Sequence, residues 1–217
     1  MGSLRRTVAH GRLTVRERRV VDQCRTPART QRWIRSLAYN WERGGRTMRT
    51  FRGVVRFGEA HCLEAALAAA AILEHHGHPP LLLDLESQDR LDHVVFAYRL
   101  RGRWGAVGAS RDLGLWGRRA AFRSVRDLAY SYYEPYIDLS ARLTGYALAD
   151  LRDLGAYDWR LASHNVWKVE RWLITLPHRA LRTDDARYRR LRRRYRDYLD
   201  TNPASGTPFT RNRHRWM

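Results

Sequence analysis

Lysine is nearly missing from this chain: of its 41 basic residues only Lys168 is not arginine. Cysteine is scarce too. Cys24 and Cys62 are the only two, which excludes a disulfide framework and leaves free thiols to explain. No apolar run approaches the roughly 20 residues that a bilayer-spanning helix needs, so no membrane partner is expected. Arg5 and Arg6 are followed by no apolar stretch, which argues against a secretory leader and makes the cytoplasm the expected compartment. The glycines at 102, 105 and 108 do not match a phosphate-cradling loop. His75, His76 and His78 crowd one helix end without the convergent spacing that zinc requires. Neither a metal nor a cofactor is expected.

What the chain does have is charge. The formal balance is +19, which would draw it toward nucleic acid, anionic membrane or acidic partners. The one-sided use of arginine offers a second explanation, a compositional bias that inflates the charge without selecting a basic surface. With 44% hydrophobic and 11% aromatic residues, 217 residues can bury a full core, read as one domain with helical appendages. Four stretches are expected: an arginine-rich N-terminal arm over 1–30, a core over 31–136, a C-terminal helical extension over 137–200 and a tail over 201–217.

Within the core, the run from Cys62 to Leu73 is almost wholly apolar, with Gly77 and Pro79 beyond it, and predicts a buried helix with a glycine stop. Cys62 then lies in the helix's first turn, where unpaired N–H groups and the dipole favour a thiolate. His93 opens a strand running to Leu100. The Arg101-Gly102-Arg103 turn leads to a return strand from Trp104 to Ser110. If Arg101-Gly102 is the two-residue loop, His93 faces Ser110; if Gly102-Arg103 is, it faces Asp112. A thiol nucleophile needs a base of this kind, and the base needs an orienting partner. His61, off to one side on the helix, reads as a structural hydrogen-bonding residue.

The segments A60-H-C-L-E-A-A, H76-G-H-P-P-L-L-L-D84, D92-H-V-V and R103-W-G-A-V-G108 resemble a bacterial family of the transglutaminase-like cysteine superfamily. The likeness covers roughly Trp33 to Tyr136. It implies an α+β, papain-like core and a Cys–His–Asp triad in which Cys62 is the nucleophile and His93 the base. The substrate would be a peptide or amide, cleaved by hydrolysis or passed on by acyl transfer. The superfamily's carboxylate after the strand tryptophan has no counterpart here: Gly105, Ala106, Val107 and Gly108 follow Trp104. Ser110 or Asp112 is expected in its place, and Asn40 is a candidate oxyanion donor beside the Cys62 backbone N–H.

A second reading comes from Ala186 to Leu199. There Tyr188, Leu191, Tyr195 and Leu199 share one helix face and arginines fill the rest. Arg189, Arg190, Arg193 and Arg194 could grip phosphates without sequence preference, making the chain a non-catalytic, basic nucleic-acid-binding or protein-interaction module. The same spacing equally suits an amphipathic helix docked by its tyrosine–leucine face, with solvated arginines outside.

Overall fold

The computed structural model describes residues 13–90, 92–137 and 142–201. It shows an α+β architecture: a six-stranded, wholly antiparallel sheet with helices on both faces. The order across the sheet is β6-β5-β4-β3-β7-β8. Its strands are β3 (Leu81–Ser87), β4 (His93–Leu100), β5 (Arg103–Val107), β6 (Arg118–Phe122), β7 (Leu143–Asp150) and β8 (Arg179–Ala180). A separate two-residue parallel pair joins β1 (Ala38–Tyr39) to β2 (Glu59–Ala60).

One face of the sheet carries α4 (Cys62–Glu74), whose residues from Leu63 to Leu73 are all buried. Its alanines explain how. Small side chains let the sheet approach from one side, while α2 (Pro27–Arg35) and α3 (Phe51–Phe57) approach from the other. Gly77, at φ +85°, turns the chain out of this helix in the left-handed conformation that glycine adopts without strain. The opposite face is a second core in which Leu83, Leu85, Val95 and Ala97 meet α5 (Val125–Tyr130), α6 (Tyr133–Tyr136) and α8 (Asp185–Thr201). Two-sided cover explains why β3 and β4 read as continuous apolar runs with no alternation.

Two boundaries differ from those expected. Within the stretch read as an arm, α1 (Val15–Gln23) is capped by Thr14 and Glu17, and it buries Val21. Glu17 also binds Arg52 of α3 at 2.8 Å, which fastens α1 to the body. The C-terminal stretch, in turn, is not all helical: β7 pairs along the whole of β3 and completes the central sheet. Core and extension are therefore one folded unit. The expected tail lies outside the described residues, apart from Thr201 at the end of α8.

The β4–β5 hairpin turns at Arg101 and Gly102, both at positive φ (+49° and +77°), as a type I′ turn demands. Leu100 therefore pairs with Arg103, the register in which Arg101-Gly102 is the two-residue loop. The ladder then ends early, at Phe96 and Val107. Gln31 of α2 causes this by clamping Gly108, accepting from its N–H and donating to its carbonyl at 3.0 Å each. A β-carbon at 108 would stand 2.7 Å from Val95, so only glycine fits the crossing. Beyond it the chain leaves the sheet and folds back through a 3₁₀ turn, Leu113–Leu115.

Candidate active site

Cys62 is the first residue of α4, so its N–H points out of the helix with no intrahelical acceptor. The β1–β2 pair brings Tyr39 and Asn40 alongside Ala60, and the thiol opens, partly exposed, into a cleft of about 470 Å³. Two imidazoles act on the sulfur, those of His61 and His93. Burial pushes the Cys62 thiol up, but the hydrogen bonds and charges of the two rings outweigh it and lower the pKa to about 5. The other cysteine behaves oppositely: burial raises Cys24 to about 11.

His93 sits at the start of β4, paired on one side with Leu85 of β3. Its Nε2 donates to the carbonyl of Leu115 at 2.8 Å, and the other nitrogen faces the sulfur, to which it donates when it takes up the Cys62 proton. The ring rests edge-on against Tyr132, 6.1 Å between centroids. This corrects the expected third position, because the nitrogen reserved for Ser110 or Asp112 is taken by a backbone carbonyl. The early end of the β4–β5 ladder leaves no strand partner at 110. Ser110 Oγ instead accepts the Asp112 N–H, and the buried Asp112 carboxylate accepts the Gly114 N–H at 2.8 Å. Asp112 thus shapes the turn that presents Leu115 to His93. It positions the orienting group without being it.

The carboxylate missing from that place stands on the other imidazole. Glu64, fully buried two residues after Cys62, accepts four hydrogen bonds. They come from Thr47 Oγ1 (2.7 Å), the Arg49 N–H (2.9 Å), Asn40 Nδ2 (2.9 Å) and the His61 N–H (3.2 Å). The Oε1 of Glu64 is 3.6 Å from His61 Nε2, which also reaches the Thr47 carbonyl at 3.1 Å. Nε2 therefore carries a proton, and opposite the Cys62 thiolate the other nitrogen carries one too, which makes the ring an imidazolium. Burial opposes that charge, but the Cys62 thiolate, Glu64 and the Thr47 carbonyl raise the His61 pKa to about 9.

Asn40 is likewise corrected. Both protons of its amide are committed, to Thr47 Oγ1 at 2.7 Å and to Glu64 at 2.9 Å, so none is left for an oxyanion. Tyr39 lines the cleft beside it, and its phenol is kept protonated by burial and by the charge on Cys62. Reasoning from sequence missed His61 and Glu64. Their signal was present in H-C-L-E, where the N-cap and third helical residue can satisfy each other's backbone.

The arginines of α8 lie elsewhere. Arg189, Arg190, Arg193 and Arg194 are exposed, while Tyr188 and Tyr195 are buried. Among the described residues, no group of histidine, cysteine and acidic side chains could hold a metal ion, and no helix is long and apolar enough to cross a membrane. No family model and no curated protein matches this chain.

Proposed function

We propose that the chain is a cysteine-dependent acyl-transfer enzyme of the transglutaminase-like class, acting on a peptide or amide carbonyl. The observation that carries this reading is a thiol in the first turn of a helix, with two imidazoles acting on it, at the wall of an open cleft. A structural cysteine needs neither imidazole.

In the proposed reaction the Cys62 proton passes to the sulfur-facing nitrogen of His93, the thiolate attacks the carbonyl carbon, and the carbonyl π electrons move to oxygen. The Cys62 N–H, at the positive end of α4, and the Tyr39 hydroxyl stabilise that oxyanion. As the tetrahedral centre collapses, the C–N bond breaks and His93 gives its proton to the leaving amine. Water or an amine then attacks the thioester, returns a proton to His93 and releases Cys62. His61 stays cationic throughout and stabilises the thiolate. A carbonyl at Leu115 stabilises charged His93 less than a carboxylate would, so this arrangement places more of the electrostatic work on His61 and Glu64.

Labelling with an acyl-directed electrophile tests the reading. Modification should map to Cys62 and disappear in Cys62→Ala. It should fall by about 10²–10⁴ in His93→Ala, the usual contribution of a positioned acid–base. Equal labelling in wild type and His93→Ala would refute it. The basic-module reading keeps one specific support, the exposed arginine row on α8, and is tested separately below.

A further inference from the structure

The cleft in front of Cys62 is acidic, on a chain of formal charge +19. Five carboxylates line it against three guanidiniums. Most of those acids have partners, but one oxygen does not. Asp84, in the middle of β3, is 3% exposed and lines the cleft, yet its Oδ1 has no hydrogen-bond donor.

Its surroundings do not supply one. The neighbours across the sheet, Val94 and Ala147, are apolar. His178 pairs with the other oxygen, with Nε2 at 3.2 Å from Oδ2 and Nδ1 at 3.0 Å from the Leu176 carbonyl, and Asp84 holds the ring's pKa above the ordinary imidazole range. This one cation serves the three acids Asp84, Glu86 and Asp92 and leaves Oδ1 without a donor. A charge buried beside a half-filled donor set is costly unless something else completes it. Asp92 faces the same space. Its Oδ1 accepts the Ser87 N–H at 3.0 Å. Burial raises its pKa, and the negative charges of Asp84 and Glu86 raise it further. Carboxylates that repel one another in a place shielded from water are relieved by a cation.

We propose that Asp84 and Asp92 form a subsite for one cationic group, an ammonium or guanidinium, carried by the substrate whose carbonyl Cys62 attacks. This rests on the acyl-transfer reading and adds the substrate class: an amide that bears a positive charge near its reactive carbonyl. Asp84, Asp92, His93 and Cys62 line the same cleft, so the subsite adjoins the chemistry. The bound cation is a recognition group and not the attacking amine, because a carboxylate pair would hold an amine in its protonated, non-nucleophilic form. The exposed Trp41 and Ile174 at the rim give the rest of the substrate an apolar surface.

Three methanethiosulfonate reagents test this: 2-aminoethyl (cationic), propyl (neutral and the same length as aminoethyl) and 2-sulfonatoethyl (anionic). In each, the Cys62 thiolate displaces methanesulfinate and forms a mixed disulfide, and the rate at Cys62 is compared with that of 2-mercaptoethanol. A cationic-to-neutral rate ratio about tenfold above the reference thiol is expected, equivalent to about 1.4 kcal/mol. Asp84→Asn should bring the ratio down to the reference, and Asp92→Asn should lower it by a smaller factor. The overall positive charge works the other way, toward the anionic reagent. A wild-type ratio at or below the reference, with Cys62 still fast toward the neutral reagent, overturns the subsite and leaves the thiolate intact. Cys62 inert to all three overturns both readings. A tenfold ratio unchanged in both variants overturns the assignment to these two carboxylates.

Discussion

Replacing Glu64 with glutamine probes how firmly the site is built. The two side chains have the same shape, so the packing of α4 is kept while charge and acceptors change. The wild-type carboxylate accepts two hydrogen bonds at each oxygen. Glutamine must present an amide at one end. Placed at Oε2, it meets Asn40 Nδ2 and the His61 N–H, two donors it cannot accept from. Placed at Oε1, it meets the Arg49 N–H and the Thr47 hydroxyl, of which only the hydroxyl can turn to accept. At least one charge-assisted bond is lost in either pose, and up to two donors are left buried. At about 1.5–3 kcal/mol for each such bond, the expected loss is roughly 1.5–6 kcal/mol. For a chain of this size that is a fall in Tm of roughly 3–24 °C, measurable by calorimetry or urea titration. A chemical signature should accompany it. Without the carboxylate the His61 pKa falls, the ring spends less time as the cation, and the Cys62 thiolate loses part of its support. The midpoint of Cys62 alkylation should therefore move to higher pH. A variant within 1 kcal/mol of wild type would refute the network. A destabilised variant whose alkylation midpoint had not moved would make Glu64 structural only.

Other outcomes follow from the same geometry. His61→Gln and His93→Gln should each raise the alkylation midpoint of Cys62 by about 2 pH units, about 2.7 kcal/mol apiece, if the two rings share the stabilisation; a shift in only one variant would assign it to that ring. Ala69→Leu places a large side chain into a fully buried helix face and should cost about 1–3 kcal/mol by urea denaturation, whereas no loss would show the α4 interface to be loose. Neutralising Arg189, Arg190, Arg193 and Arg194 should change stability by less than about 0.5 kcal/mol, because these side chains are exposed. If the row grips duplex DNA, every phosphate left without its arginine should flatten the slope of log K against log salt by about 0.9, and no binding at low salt would leave the row as solvated surface.

The parts of this molecule that could be read from sequence carried their own side-chain signatures. The Cys62 helix announced itself by an unbroken apolar run, and the hairpin by a glycine turn between two strands. The helix has the expected form and β4 runs from His93 to Leu100, while the return strand stops at Val107, short of Ser110. By contrast, β7 gave little sign of itself: L-T-G-Y-A-L-A-D holds one β-branched residue, and the glycine and alanines at every second position favour strand only weakly. Its place is decided by the unpaired edge of β3. In the same way α1 hid behind arginines, although Thr14 and Glu17 form a capping box. The partner of His93 could not have been found by scanning for a carboxylate, since a main-chain oxygen has no residue signature. Finding it required knowing that Gln31 peels the chain off the sheet at Gly108. His61 and Glu64 were in view, and treating the N-cap as a point on an ideal helix misplaced the ring.

The most direct test of the central claim is the pH dependence of Cys62 alkylation by iodoacetamide in the wild-type protein, read by mapping the modified peptides. The account predicts a midpoint at about 5, with Cys24 staying unmodified through neutral pH because its own pKa lies at about 11. A midpoint near the ordinary thiol value of about 8.5, or Cys24 labelled ahead of Cys62, would contradict it.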